Sequence, residues 1–271
     1  MHLNYHAPSA APRRSHAWLI PILVCAVLVA GRLEPPAAQD QERIIPTFLN
    51  FSSYRWLVRE NLEREGPGDN RFGGQNVSVF LNQDGSLVLA LALQDGVWKS
   101  AEVSTSRYLG FGTYTFKVRT PPYGLDRNLV LGLFTYSAAR GYNHREIDIE
   151  FSAWGQPTQP VAGQYVVQPY DKPGNMVLFD ISQVYGTATY TFTWSETRLE
   201  FVSWQGYGPR PESGSPLIIA EWEFTDAKAI PRPSAQVHMN LYLVKGTTPP
   251  FGDGELSVTI DSFQFTPPPK R

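Results

Sequence analysis

Three carboxylates recur at every second position in one short segment of the chain. The segment reads Glu146-Ile147-Asp148-Ile149-Glu150-Phe151. Successive side chains of a β-strand point to opposite faces, so a strand here presents its three acids on one side and its three apolar residues on the other. The apolar face can anchor in a core, and the acids then form a row of titratable groups on the opposite face.

A row of acids at this spacing suits acid–base and nucleophilic chemistry at a sugar carbon. Strand geometry places the Cα atoms of Glu146 and Glu150 roughly 13 Å apart. Inward-leaning side chains bring their carboxyl groups to roughly 5–6 Å, near the separation that retaining glycosidases use. Because like charges this close repel, the pKa of at least one acid should rise and supply a protonated acid near neutral pH. We therefore predict Glu146, Asp148 and Glu150 as catalytic residues.

Two other interpretations of the acidic row stay open. The row can be the polar face of an exposed strand, although like charges adjacent on one face destabilise a strand. It can also bind calcium or magnesium through its carboxylate oxygens.

Short strand-like segments separated by turns make up most of the chain. Tyr114, Phe116 and Val118 alternate with polar residues, which is the period of two of a half-buried strand. No window of a dozen residues keeps a helical period, and 23 prolines limit long helices. We predict an all-β sandwich of two antiparallel sheets. The predicted strands are 77–81, 86–93, 113–119, 129–136, 189–194, 199–204, 217–224, 237–244 and 256–265.

Composition narrows the classes of ligand. The 271-residue chain has a formal net charge of −2 and no long basic run, so it lacks the electrostatic footprint of a nucleic-acid-binding protein. Its one cysteine, Cys25, excludes a disulfide framework and a cysteine-based zinc site. We expect a polysaccharide partner, no nucleic acid, no cofactor in catalysis and a monomeric chain.

The first residues predict export. Residues 18–30 are apolar and follow Arg13, Arg14 and His16, an order typical of a signal peptide, and the run is short for a bilayer span. We assign residues 1–38 to a signal peptide and leader, 39–50 to a linker and 51–267 to one catalytic domain. The expected destination is secreted or periplasmic, without stable membrane association after processing. An uncleaved membrane anchor is the alternative.

The acidic segment resembles the signature of glycoside hydrolase family 16, the lichenase and laminarinase group. Other segments agree with the family in order, between about Phe51 and Phe265. These segments are Leu109–Tyr114, Leu133–Tyr136, Gln164-Tyr165, Tyr190–Trp194 and Met239–Tyr242. The resemblance implies a concanavalin-like jelly-roll sandwich with an open cleft on its concave face.

The resemblance also implies roles for the acids. Glu146 matches the nucleophile, Glu150 the general acid/base and Asp148 the residue that assists them. The implied activity is retaining endo-hydrolysis of β-glucan-type polysaccharides with β-1,3 or β-1,4 linkages. A transglycosylase of the same family and a lectin-like sandwich without turnover are the alternatives. The intact acid row argues against a lectin, since binding alone does not need two glutamates that flank an aspartate.

Aromatic and polar residues near the acids are candidates for sugar contacts, because sugar rings stack on aromatic side chains. We predict as substrate-binding residues Glu102, Phe134, Tyr136, His144, Trp154, Gln164, Tyr165, Asn240 and Tyr242. We interpret Trp194 as a core residue and His238 as structural.

Three positions depart from the family pattern. His144 stands where lichenases carry Trp, and Tyr242 ends the segment that reads Asn-Leu-Trp in the family. In the family an arginine usually follows the glutamate that Glu102 matches, whereas Val103 and Ser104 follow it here. These positions contact sugar in the family, so the departures leave the linkage specificity open.

The last predicted strand holds a candidate metal ligand. Many members of the family bind calcium on the convex side through an aspartate of this strand, and Asp261 matches that position. We expect a structural calcium ion there, remote from the cleft, with oxygen ligands. A plain turn or edge aspartate is the alternative.

Overall fold

A computed structural model of the chain describes residues 45–139 and 141–269. The predicted signal peptide and leader, and the predicted linker up to residue 44, lie outside the described residues. No helix within the described ranges has the length and apolar character needed to cross a membrane.

The described residues form seventeen strands. In chain order they are β1 (Thr47–Phe51), β2 (Tyr54–Val58), β3 (Arg71–Phe72), β4 (Val79–Leu81), β5 (Leu87–Ala90), β6 (Ala92–Gln94), β7 (Val97–Thr105), β8 (Gly112–Val118), β9 (Leu129–Tyr136), β10 (Ile147–Ser152), β11 (Ala162–Val167), β12 (Met176–Phe179), β13 (Ala188–Trp194), β14 (Leu199–Gln205), β15 (Ile218–Phe224), β16 (Gln236–Leu243) and β17 (Ser257–Thr266). Two short 3₁₀ turns, Pro122–Gly124 and Asn143–Arg145, are the helical elements of this region.

The strands pair into two sheets. The first follows the order β1-β2-β7-β16-β9-β10-β11-β12, with β3 and β6 also paired to β7. The second follows the order β15-β14-β13-β8-β17-β5-β4. Neighbouring strands are antiparallel, apart from the two-residue parallel pairing of β3 with β7. The predicted all-β sandwich of two antiparallel sheets is confirmed.

The core between the sheets fixes the register of β10. Ile147, Ile149 and Phe151 are fully buried there, and the Phe151 ring packs 4.8 Å from that of Tyr190 on β13. Burying each such side chain contributes about 1.5–3 kcal/mol. A slip of one residue would expose all three and bury the acids, so the apolar face determines that the acids point away from the core.

The structure corrects part of the predicted domain boundary. Residues 47–50, assigned to the linker, belong to β1, where Leu49 is buried and β1 pairs with β2. The predicted strands otherwise match observed ones closely, except that 86–93 is divided into β5 and β6. Trp194 is buried in the core, as predicted.

Candidate active site

The three acids lie on the outer face of the first sheet, at β10. Glu146 immediately precedes the strand, whereas Asp148 and Glu150 lie within it. Glu150 pairs with Gly132 of β9 on one side and with Gln164 of β11 on the other. Because β10 is an interior strand of the sheet, neighbouring strands supply side chains on both sides of the acids.

A cleft with two halves runs over the acids, and Glu146, Glu150 and Tyr242 line both halves. One cavity of about 480 Å³, here called the Arg59 half, extends toward β7 and β16. The other, of about 530 Å³, here called the Trp154 half, extends toward β11 and β12. The Arg59 half is further lined by Arg59, Gly66, Pro67, Glu102, Phe134, Tyr136, Asp148, His238 and Asn240. The Trp154 half is further lined by Trp154, Gln164, Gln168, Tyr170, Met176 and Leu178.

Burial raises the pKa of all three acids, and the charges of neighbouring acids raise it further at Glu146 and Asp148. Burial, followed by the charges of Glu150 and Glu102, raises the pKa of Glu146 to about 7. Burial also raises the pKa of Glu150 to about 7, against a hydrogen bond from Gln164 that lowers it. The pKa of Asp148 rises well above its ordinary value through burial and the charges of Glu146 and Glu150. The pKa of an acid in this row is therefore raised toward neutral pH, as expected, but burial is the largest cause, whereas the expectation rested on repulsion between the acids.

Two glutamine amides hold the acids in place from the β11 side. The Nε2 group of Gln164 donates a 2.6 Å hydrogen bond to Oε2 of Glu150. The Nε2 group of Gln168, just after β11, donates a 3.0 Å bond to Oδ2 of Asp148. Gln164 therefore lies at the acid row, where we predicted it, whereas Gln168 was missed.

Glu102 on β7 is a buried carboxylate whose two oxygens are both engaged. Its Oε2 accepts a 2.8 Å hydrogen bond from Nη1 of Arg59, and its Oε1 lies 2.9 Å from Nδ1 of His238. Burial raises the pKa of Glu102, but hydrogen bonds and charge from His238 and Arg59 outweigh burial and leave that pKa below its ordinary value. Glu102 lines the cleft as an ionised group that organises its neighbours.

Aromatic side chains line both halves of the cleft. Phe134 and Tyr136 lie in the Arg59 half, and Tyr242 contributes to both halves. Trp154 is 40% exposed and follows the end of β10, where its backbone N–H donates a 2.7 Å hydrogen bond to Oγ of Ser152. These four predicted residues therefore line the cleft.

Asn240 reaches the cleft because of a glycine on the neighbouring strand. Asn240 on β16 pairs with Gly132 of β9, and a Cβ at Gly132 would lie 2.5 Å from the Asn240 Oδ1 atom. A side chain at position 132 would therefore displace Asn240. This residue also lies where we predicted it.

One predicted substrate contact is wrong. Tyr165 is fully buried between the sheets, where its hydroxyl donates a 2.6 Å hydrogen bond to Oγ of Ser203. It follows Gln164 in β11, and adjacent strand residues face opposite sides, so the two cannot both reach the cleft. His144 is not among the residues that line either half, but it stacks on Tyr136 with the ring centroids 5.0 Å apart, and its contact with substrate stays a prediction.

His238 and Arg59 line the cleft, although neither is among the predicted substrate-binding residues. His238 was interpreted as structural, but it lines the Arg59 half together with Asn240 and Tyr242. These three residues alternate along β16, so a period of two applied to that strand would have found it. Arg59 follows β2 and contacts Glu102 from 43 positions away, a relation that no local pattern reveals.

The backbone that leads into Glu146 is strained. Tyr142, Asn143, His144 and Arg145 all have φ between 47° and 59°, a left-handed conformation that costs a non-glycine residue about 1–2 kcal/mol. Two contacts hold the turn. The backbone N–H of Ser137 donates to the His144 carbonyl at 2.7 Å, and the Thr135 hydroxyl donates to the Arg145 carbonyl at 2.9 Å. The turn thus sets the point at which Glu146 enters the cleft.

Asp261 does not present a free set of oxygen ligands. Its carboxylate accepts hydrogen bonds from the guanidinium of Arg119 and the hydroxyl of Tyr207. Within residues 45–139 and 141–269, no group of three or more His, Cys, Asp or Glu side chains is arranged to hold a metal ion. A calcium ion at Asp261 would have to replace the Arg119 cation, so these residues do not fit the ion as arranged. The calcium site stays a prediction.

Solved structures share this architecture, although no protein-family model and no curated protein matches the chain. A Bacillus licheniformis β-glucanase is 18% identical with a TM-score of 0.58, over 83% of this chain and 97% of its own. A prokaryotic β-1,3-1,4-glucanase (lichenase) from a mouse hindgut metagenome is 19% identical with a TM-score of 0.54, over 83% of this chain and 100% of its own. A family 16 glycosyl hydrolase protein from Mycobacterium smegmatis is 18% identical with a TM-score of 0.50, over 78% and 92%.

The chain has the fold of these glucanases. The jelly-roll sandwich implied by the resemblance to glycoside hydrolase family 16 is therefore confirmed. At these identities the likeness concerns the fold, so the chemistry must be argued from the side chains.

Proposed function

We propose that this chain is a retaining endo-β-glycanase that hydrolyses β-glucan-type polysaccharides with β-1,3 or β-1,4 linkages. The observation that carries the proposal is the row of Glu146, Asp148 and Glu150, which places three acids of raised pKa across the floor of a cleft. The fold shared with proteins described as β-glucanases supports the same substrate class.

The reaction proceeds by two displacements at the anomeric carbon. In the first, the carboxylate of Glu146 attacks that carbon while the carboxylic acid of Glu150 gives its proton to the leaving glycosidic oxygen. A covalent glycosyl-enzyme ester forms and the leaving chain departs as an alcohol. In the second, Glu150 takes a proton from water, and the resulting hydroxide releases the sugar with its original configuration.

The surroundings of Glu150 and Asp148 suit these roles. Burial keeps a proton on Glu150 near neutral pH, and Gln164 fixes the orientation of that carboxyl group. Asp148 lies between the two glutamates in sequence and is held by Gln168. Its own protonation adjusts the charge felt by Glu146, because the two repel when both are ionised.

The two halves of the cleft favour action within a chain. Cavities of about 480 and 530 Å³ extend on either side of the acids, so sugar units on both sides of the scissile bond have space. Aromatic surfaces in both halves suit the apolar faces of sugar rings. This arrangement supports endo-hydrolysis.

Product stereochemistry after azide rescue tests the assignment of the two glutamates. Activity is first located with a panel of β-glucans, xyloglucan and galactans. With Glu146→Ala, azide should enter the space of the nucleophile and give a glycosyl azide of inverted configuration. With Glu150→Ala, substrates with good leaving groups should still form the ester, because they need little protonation, and azide should give a retained β-azide.

The control is Glu212→Ala, which changes an exposed glutamate outside the cleft and should leave the rate unchanged. A retained azide from Glu146→Ala, or full activity in both alanine variants, would contradict the mechanism. NMR of the products distinguishes the two azides.

A further inference from the structure

Two buried polar atoms in the Arg59 half have no hydrogen-bond partner among residues 45–139 and 141–269. They are Nε2 of His238 and Oδ1 of Asn240. Buried polar groups in proteins are nearly always hydrogen-bonded, and the exceptions concentrate at sites that act on something else. The His238 atom is the more informative, because the rest of its ring is fully specified.

Three contacts hold the His238 imidazole in one orientation. Its Nδ1 lies 2.9 Å from Oε1 of Glu102. One ring face stacks on Phe134 at 5.1 Å between centroids, and Tyr136 packs against it edge-on at 5.7 Å. The ring therefore cannot turn to find another partner for Nε2 without losing these contacts.

The contact with Glu102 also fixes which ring nitrogen carries a proton. An ionised carboxylate only accepts hydrogen bonds, so Nδ1 must be a protonated nitrogen. The other oxygen of Glu102 is taken by Arg59 at 2.8 Å, which helps to keep this carboxylate ionised. A neutral ring then accepts a hydrogen bond at Nε2 and an imidazolium ring donates one there, and a hydroxyl group satisfies either.

The charges of the Arg59 half favour a neutral partner. Arg59 is the one permanently cationic side chain among the described residues that line this half, and its guanidinium is engaged by Glu102 and by Glu65 at 2.9 Å. The remaining ionisable groups that line it are His238, two tyrosines and the acids. An anionic sugar would meet no unpaired positive charge here, whereas a neutral hydroxyl group can bond to Nε2 directly.

We propose that Nε2 of His238 forms a hydrogen bond with a hydroxyl group of a neutral sugar unit in the Arg59 half, with Glu102 as the positioning residue that holds the ring in place. This inference rests on the proposed function, because the sugar unit belongs to the same substrate. A site built to bond a hydroxyl discriminates strongly against sugars that lack it in that position. His238 is then a determinant of which β-glycan the chain accepts.

Two amide substitutions at position 238 form a matched pair that tests the roles of the two ring nitrogens separately. His238→Asn keeps an amide near the Nδ1 position, within reach of Glu102, and removes the group at Nε2. His238→Gln places its amide near the Nε2 position. The asparagine variant should raise KM on laminarin or barley β-glucan about tenfold with little change in kcat, and the glutamine variant should recover most of this loss.

A structural role would give the opposite pattern. If His238 served only to pair with Glu102, His238→Gln would lower the melting temperature, and KM would change in neither variant. The inference instead expects KM to rise in His238→Asn and to be restored in His238→Gln, because the atom lost at Nε2 has no partner among the described residues.

Binding measured without turnover separates this inference from the proposed function. Calorimetric titration of laminarihexaose and cellohexaose into Glu146→Gln, with and without His238→Asn, should show about tenfold weaker binding in the double variant. Hydrolysis by the parent with unchanged KM and unchanged hexasaccharide affinity in the asparagine variant would overturn the role of His238 and leave the proposed function intact. Weakened binding without any hydrolysis by the parent would do the reverse, and neither binding nor hydrolysis would overturn both.

Discussion

The two halves of the cleft are built from different kinds of contact. In the Arg59 half, Arg59, Glu102 and His238 form a connected set of hydrogen bonds over a buried carboxylate. In the Trp154 half, Tyr170 and Leu178 are 63% and 64% exposed, and the side-chain hydrogen bonds run from Gln164 and Gln168 to the acids themselves. A fixed network demands a particular arrangement of hydroxyl groups, whereas exposed apolar surfaces accept any sugar face. Selectivity should therefore come from the first half and general affinity from the second.

Each half of the cleft also shifts the pKa of a different acid. The charge of Glu102, in the Arg59 half, contributes to the raised pKa of Glu146. The amide of Gln164, in the Trp154 half, lowers the pKa of Glu150. Both effects oppose the protonation states of the proposed mechanism, which are ionised for Glu146 and protonated for Glu150, so each half moderates a different acid.

The largest expected difference between the halves is in stability. Glu102→Ala should lower the free energy of unfolding by about 3 kcal/mol, the low end for breaking a buried ion pair, because the Arg59 side chain is 26% exposed. Trp154→Ala should change it by less than about 0.5 kcal/mol, as expected for a surface position. Urea denaturation of both variants measures the two values. Equal losses of unfolding free energy in the two variants would contradict the distinction between the Arg59 half and the Trp154 half.

Substrate affinity should show the next largest effect. Trp154→Ala should raise KM for polysaccharide about tenfold, because a stacking surface is lost, and leave kcat nearly unchanged. Tyr185→Ala is the control, since Tyr185 is 70% exposed but lies outside the cleft. Steady-state kinetics on a soluble β-glucan compare the two. A large fall in kcat for Trp154→Ala would instead assign this residue to positioning of the reacting atoms.

The smallest expected effects are shifts in the pH profile of kcat/KM, and they should have opposite signs. Glu102→Gln removes a negative charge that raises the pKa of Glu146, so the acidic limb should move about 0.5–1 toward lower pH. Gln164→Leu removes a hydrogen bond that lowers the pKa of Glu150, so the alkaline limb should move by a similar amount toward higher pH. Shifts of both limbs in either variant would show that the acids titrate as one unit and that the halves do not tune them separately.

Part of the fold follows from local alternation. β8 and β13 alternate regularly between apolar and polar residues, and both were predicted. β7 was missed because its cleft-facing residues, among them Glu102 and Ser104, are polar yet buried, which removes the usual contrast between the two faces. Strand order is a property of the assembled sheet, so no segment by itself indicates that β16 lies between β7 and β9.

The candidate site was predictable to the extent that it lies on one strand. The acid row needs only the period of two in β10, and the structure places all three acids in the cleft. The prediction that Tyr165 contacts substrate was wrong because Gln164 and Tyr165 were treated together, although neighbouring strand residues face opposite ways. Arg59 could not be predicted from the sequence, because its contact with Glu102 arises from the pairing of β2 with β7.

The place of β16 in the first sheet determines when the cleft can be completed during folding. Glu102 and His238 touch across 136 positions of sequence, and β16 must insert between β7 and β9, which both lie far earlier in the chain. Contacts this distant in sequence form slowly, because the chain must close a large loop before they become favourable. The acid row can form locally with β9 and β11, but the Arg59 half is completed only when β16 arrives. Acquisition of substrate selectivity should therefore be among the last events of folding.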